Sequence, residues 1–183
     1  MTVAEYLLPG WLAQLRQKAP GVSVALSMHN SRDVMQQVHK GEVDLVVVVG
    51  AAHRRVAQGT SISITELLSQ SLVIREPGSD TRETLEVALA RAQHVLASAD
   101  KLELGSTAAI KATVRTGQGA GVLSRLAVAA DLASGQLHEV PVNDLDLTRW
   151  LHLVHSPDQH FTGAPAELAT IALTWAREHA RTR

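Results

Sequence analysis

Ser79, Asp80 and Thr81 follow the apolar run Leu72-Val73-Ile74 after a single Pro-Gly turn. Asn30-Ser31 follows another apolar run, and Ser106-Thr107 a third. Thr2 is a fourth case if a strand precedes it. Each places hydroxyl or amide side chains where a strand gives way to a helix. The first turn of a helix carries unbonded amides and about half a positive charge. Several such turns facing one crevice bind a carboxylate, phosphate or sulfate with few cations. Ser, Thr, Asn and Asp are also the preferred helix caps, worth about 1 kcal/mol each. Each site alone is more simply a cap. Ser79 and Thr81 are expected to do both jobs, capping the empty helix and lending hydroxyls to a guest. Asp80 competes with an anion at its own site.

Other chemistries find less support. Of the nine histidines, His152 and His155 are three apart in "WLHLVH", which reads as a strand, so they point to opposite faces. No H-E-x-x-H occurs, and no metal site is expected. Ser106 lacks the G-x-S-x-G elbow of a hydrolase nucleophile, so no catalytic residue is assigned and an enzyme is not expected. "GQGAG" follows a helix and precedes a strand, the wrong order for a phosphate cradle, and reads as a helix stop. Arg32, Arg75, Arg82 and Lys111 read as mostly solvated side chains. Arg125, after the glycine-rich turn, is placed to reach a ligand.

The elements that must position these groups follow from periodicity. "YLLPGWLAQLRQ" fits one helix face, with Pro9 in its first turn. Its stripe Trp11, Leu12, Leu15 reads as core packing. Residues 22–28 alternate like a strand, and a helix capped by Asn30-Ser31 runs on to a stop at Gly41. The run 43–49 is valine-rich, the mark of a strand buried on both faces. Then come a loop, a short helix at "ITELLSQ", a strand at "SLVIR", and a helix over 80–94. A strand at "KLELG", a helix over 106–116 and a strand entered through Gly117, Gly119 and Gly121 follow. The spacing predicts a helix over 125–133, strands at "QLHEVPV" and over 148–155, and a closing amphipathic helix at "APAELATIALTWAREHA". Strands alternating with helices argue an α/β fold with parallel sheets and helices on both faces.

Composition narrows the class. The chain has 183 residues, 45% hydrophobic, with 3% aromatic, so aliphatic side chains must build the core. Seventeen basic against eighteen acidic residues leave a net charge of −1, too little for a self-sufficient nucleic-acid-binding domain. There is no cysteine, which excludes disulfides and thiolate chemistry. No run is long enough to span a bilayer, and "MTVAEYLLPGW" lacks the basic head of a secretory signal, so a cytoplasmic location is expected.

"SLVIREPGSDTRETLEVAL", then "LELGSTAAIKATVRTGQGAGVLSRLAVAADLASGQLHEVPV", resembles the effector-binding domain of LysR-type transcriptional regulators. The family pattern runs REPGSGTR, ELGSTEAIK, AGLGIALLS. "EYLLPGWLAQLRQKAPGVSVALSMHNSRDVMQQVHKGEVDL" resembles its first half, so the likeness covers nearly the whole chain. It is nearest to the branch with regulators of carbon fixation and sulfur assimilation. The resemblance implies two Rossmann-like subdomains joined by a hinge of crossing strands, similar to type 2 periplasmic binding proteins. It sets subdomain I at 1–45 and 141–183 and subdomain II at 46–140. It implies a small, anionic effector in the intervening cleft, bound by Thr2, Asn30 and Ser31 from one side and by Ser79, Thr81, Ser106 and Thr107 from the other. It implies no cofactor and a homodimer or tetramer. DNA would be reached only through a winged helix-turn-helix domain that this chain lacks.

Two features depart from the family. Asp80 stands where the pattern has Gly. "GEVDLVVVVGAAH" runs together two strands that the family separates, so 43–45 reads as the end of one and 46–49 as the hinge strand. The rival reading is a solute-binding protein of a transporter, which shares the fold.

Overall fold

The valine run earns its place by burial on both sides. In the computed structural model, which describes residues 3–24, 39–53, 60–153 and 161–179, Val46 to Val49 are all buried. The elements are α1 (Leu8–Lys18), β1 (His39–Gly50), α2 (Ile64–Leu68), β2 (Leu72–Arg75), α3 (Asp80–Arg91), β3 (Lys101–Leu104), α4 (Thr107–Arg115), β4 (Ala120–Ser124), α5 (Arg125–Ala133), β5 (Leu137–Glu139), β6 (Thr148–Leu153) and α6 (Ala164–His179). A π-helical turn, Val3–Leu7, leads into α1. The chain divides into two compact units, Met1–Val43 with Trp150–Arg183, and Asp44–Arg149.

In the second unit the sheet order is β3-β2-β4-β1-β5, with β6 also pairing with β1. β2 is parallel to β3 and to β4, while β1 is antiparallel to both of its neighbours β4 and β5. The expectation of parallel strands holds for β2, β3, β4 and β5 but not for β1. Four strands share one direction and β1 is wedged among them against it. Strand alternation reports which faces are buried, not which way a strand runs, so this was hidden in the sequence.

Alternation along β1 divides the core. Leu45, Val47 and Val49 join Leu72, Ile74, Ala120 and Val122, packed beneath Leu67 of α2 and Leu85 and Leu89 of α3. Val46 and Val48 join Val73 and Leu123 on the other face, beneath Ile110 and Val114 of α4 and Val128 of α5. Each buried Val, Leu or Ile among them contributes about 1.5–3 kcal/mol. Gly121 is required here. A Cβ on it would lie 2.8 Å from Val114 Cγ2 and 3.3 Å from Ile110 Cγ2, so α4 packs against bare backbone. The preceding turn needs Gly119 at φ +96, where a Cβ would also strike the Ser71 carbonyl.

In the first unit α1 packs on α6. Pro9 falls in the first turn of α1, where its missing amide costs nothing. Leu15 is buried, and Trp11 meets Trp175 edge to face with ring centroids 6.0 Å apart. His179 stacks on Trp175 at 4.3 Å, and Lys18 pairs with Glu167 at 3.0 Å. The stripe on α1 thus packs at least in part against its own chain.

Other boundaries also move. β1 is one continuous strand from His39, so Gly41 lies within a strand rather than stopping a helix, and 43–45 and 46–49 belong to the same element. Residues 22–24 carry no regular structure, and the rest of the strand expected there lies outside the described residues, as do Asn30, Ser31 and the helix after them. α3 ends at Arg91, not 94, because Gln93 takes φ 61 and closes a Schellman turn, with His94 N–H donating to Leu89 O (2.8 Å) and Gln93 N–H to Ala90 O (3.0 Å). The strand expected over 136–142 is cut to Leu137–Glu139, and Val142 instead bridges Ile62. No helix among the described residues is long and apolar enough to cross a membrane.

Candidate functional site

Parallel β3, β2 and β4 deliver their carboxyl ends to one edge of the second unit's sheet, and each then opens a helix. The three N-cap residues there are Ser79, Ser106 and Ser124, on α3, α4 and α5. The same residue type behaves differently at each. A fourth serine, Ser63, supplies the reference. Its hydroxyl accepts from the Glu66 amide at 3.2 Å while Glu66 returns a bond to the Ser63 amide at 2.9 Å, a complete capping box. Ser106 caps less closely, accepting from the Ala109 amide at 3.4 Å. Ser79 and Ser124 make no side-chain cap at all, although both are buried. The expectation that Ser79 caps the empty helix is corrected. Its φ/ψ of −81/130 sets the backbone for a cap, while the hydroxyl is not spent on one.

The charged side chains on and beside this sheet are paired with one another. Arg75 ends β2 with its side chain only 6% exposed, and its fork donates to both Glu76 oxygens at 2.7 Å. Those bonds hold the Glu76 carboxyl below its usual range. Arg75 Nη1 also donates to the Thr107 hydroxyl at 3.5 Å, linking β2 to the first turn of α4. Arg82, on α3, pairs with Glu86 and with Glu103 of β3, each at 2.8 Å. Lys111 and Arg115 of α4 both pair with buried Asp131 of α5, Lys111 at 3.0 Å. Arg125 forks onto Glu139 at 2.7 Å to both oxygens. The solvated reading of Arg75, Arg82 and Lys111 is therefore wrong. Each is held by an acid distant or adjacent in sequence, a pairing that composition does not reveal.

The sequence also passed over Arg149. It lies on β6 and is 9% exposed. Burial lowers its pKa, opposed by the negative charge of Asp80 and reinforced by the positive charge of Arg75. Asp80, the residue that departs from the family pattern, thus acts on a buried guanidinium near the start of α3. Thr81, in the same turn, is buried. The structure brings Ser79, Thr81, Ser106 and Thr107 to one edge of one sheet, while Thr2, Asn30 and Ser31 lie outside the described residues. No group of three or more His, Cys, Asp or Glu side chains able to hold a metal occurs among the described residues.

This arrangement offers hydroxyl and amide donors against a background of paired charges. It suits an oxyanion held by hydrogen bonds. Comparison with known proteins agrees on the architecture. The LysR substrate binding domain model matches residues 1–54 and 45–177, two stretches that overlap at 45–54. The chain is 31% identical over 184 residues to the HTH-type transcriptional regulator YeiE of Escherichia coli K12, covering 89% of this chain and 62% of that protein. It is 28% identical to the HTH-type transcriptional regulator CysL of Bacillus subtilis, covering 85% of this chain and 58% of CysL. The chain thus spans less than two thirds of these curated relatives. Among solved structures, the CcmR regulatory domain of Synechocystis PCC6803 in complex with 2-PG superposes with a TM-score of 0.79 at 22% identity, covering 96% of this chain and 94% of that one.

Proposed function

The chain belongs to the LysR substrate binding domain family, and on that premise we propose that it is the ligand-sensing part of a bacterial transcriptional regulator. It takes a small anionic metabolite at the edge where α3 and α4 begin. The observation that carries this is the unspent hydroxyl of buried Ser79, set beside a helix N-terminus and not committed to capping it. Thr81, Ser106 and Thr107 supply further donors, and the resemblance adds Thr2, Asn30 and Ser31. An effector switches such a protein only by binding one conformation better than another. β1 and β6 carry the chain between the two units, so a change in their conformation is the natural route for the signal. The relatives are named as transcriptional regulators, which favours a regulator over a transporter's solute-binding protein and over an enzyme. DNA contact through a separate domain, a homodimer or tetramer and a cytoplasmic site of action belong to the same proposal.

The test is a thermal-shift screen with sulfate, phosphate, sugar phosphates, dicarboxylates and acetylserine-like compounds. A ligand that binds only the folded chain raises its melting temperature. Ser79→Ala and Thr107→Val should each reduce that rise. A rise that is equal in the variants and the parent places the ligand elsewhere.

A further inference from the structure

The hydroxyl of Ser124 is buried and makes no hydrogen bond, and the residue is 3% exposed. A buried hydroxyl left without a partner is uncommon, and each one calls for an explanation. Capping α5 is not the explanation, since no capping bond is made. Its position is informative. Ser124 is the last residue of β4, whose neighbour β2 runs parallel to it, with Leu72 opposite Ala120 and Val73 opposite Gly121. It therefore ends at the same edge from which α3 departs. Its antiparallel partner is Leu45, which belongs to the core beneath α3. Partners across a ladder share a face, so the Ser124 side chain lies on the α3 side of the sheet.

We infer that Ser124 is a further ligand-binding residue, donating its hydroxyl to the same oxyanion that engages the start of α3. The inference rests on the reading proposed above and adds a contact from a different strand. It gives the ligand's carboxylate, phosphate or sulfate group hydrogen-bond donors from β4 as well as from α3. A serine here makes no hydrogen bond within its own chain, so its hydroxyl is available to a guest.

The experiment titrates the parent, Ser124→Ala, Ser124→Thr and Ser79→Ala with sulfate, phosphate and acetate by calorimetry, alongside melting temperatures without ligand. Ser124→Ala should melt no lower than the parent, because it removes an unmade bond. It should weaken the bound anion about tenfold, the worth of one hydrogen bond to a charged group, and Ser124→Thr should recover most of that loss. If Ser79→Ala weakens the anion and Ser124→Ala does not, this inference alone falls. A melting temperature lowered in Ser124→Ala also overturns it, since the hydroxyl would then be structural. If no probe binds the parent, or neither serine matters, the site reading falls with it.

Discussion

Arg75 Nη1 lies 3.5 Å from the Thr107 hydroxyl, joining the end of β2 to the first residue of α4. A hydroxyl that accepts from a guanidinium keeps its own proton to donate. Thr107 is thereby turned toward donation, the role an oxyanion needs. Thr107→Val deletes the acceptor and the donor together while keeping the shape. We expect a stability loss of about 1 kcal/mol, read by urea unfolding, and a several-fold weaker anion. Thr107→Ser should restore binding, because the hydroxyl and not the methyl carries the effect.

Asp131 ties α5 to α4 through Lys111 and Arg115. Burial acts to raise its pKa, but hydrogen bonds from Arg115 and Lys111 outweigh that and the net shift is downward. A carboxyl depressed by folding lends stability above its unfolded pKa, near 4, and loses it as pH falls through the folded value. Acid titration of the parent should show stability declining below about pH 4, and Asp131→Asn should flatten that part of the curve. Asp131→Ala removes the shared partner of two partly exposed cations and should cost about 1–3 kcal/mol. An unchanged acid limb in Asp131→Asn would remove this residue from the account.

Gly121 has no room for a side chain, as its Cβ would meet Val114 Cγ2 at 2.8 Å. Gly121→Ala should destabilise the fold by about 1–3 kcal/mol. Val114→Ala, placed in the same chain, opens space and should recover part of that loss, a coupling that a double-mutant cycle in denaturant reads directly. Additive losses would show that the contact is not what selects glycine.

Much of this architecture was legible from residues 43 to 139. A run of valines needs two apolar neighbours, and β1 has α2 and α3 on one face and α4 and α5 on the other. The helix over 125–133 is legible to the residue, since Ser124 marks its start and Gly135, at φ +72, closes its end. Gln93 does the same work at the end of α3 without being glycine, so the sequence hides that boundary. The partners Lys111 and Asp131 are 20 residues apart, a pairing made by the packing of α4 on α5 rather than by any local pattern. Arginine in an alternating strand reads as its solvent face, so the burial of Arg149 leaves no mark in the sequence.

The serines mark the limit most clearly. Ser63, Ser79, Ser106 and Ser124 carry the same local signature, a hydroxyl ahead of a helix. Only three-dimensional geometry separates Ser63, which completes a capping box, from Ser79 and Ser124, which do not cap. Local sequence can nominate an N-cap. It cannot say whether the side chain turns inward to the helix or stays available to a ligand.

The most direct measurement compares Ser63→Ala with Ser79→Ala, recording the melting temperature of each empty chain and its affinity for the anion that best stabilises the parent. Ser63→Ala should lose about 1 kcal/mol of stability with affinity unchanged, whereas Ser79→Ala should keep its melting temperature and bind several-fold more weakly. A Ser79→Ala chain that melts lower yet binds as well as the parent would mean that the hydroxyl serves the fold, and that the edge where α3 begins is not where this domain reads its ligand.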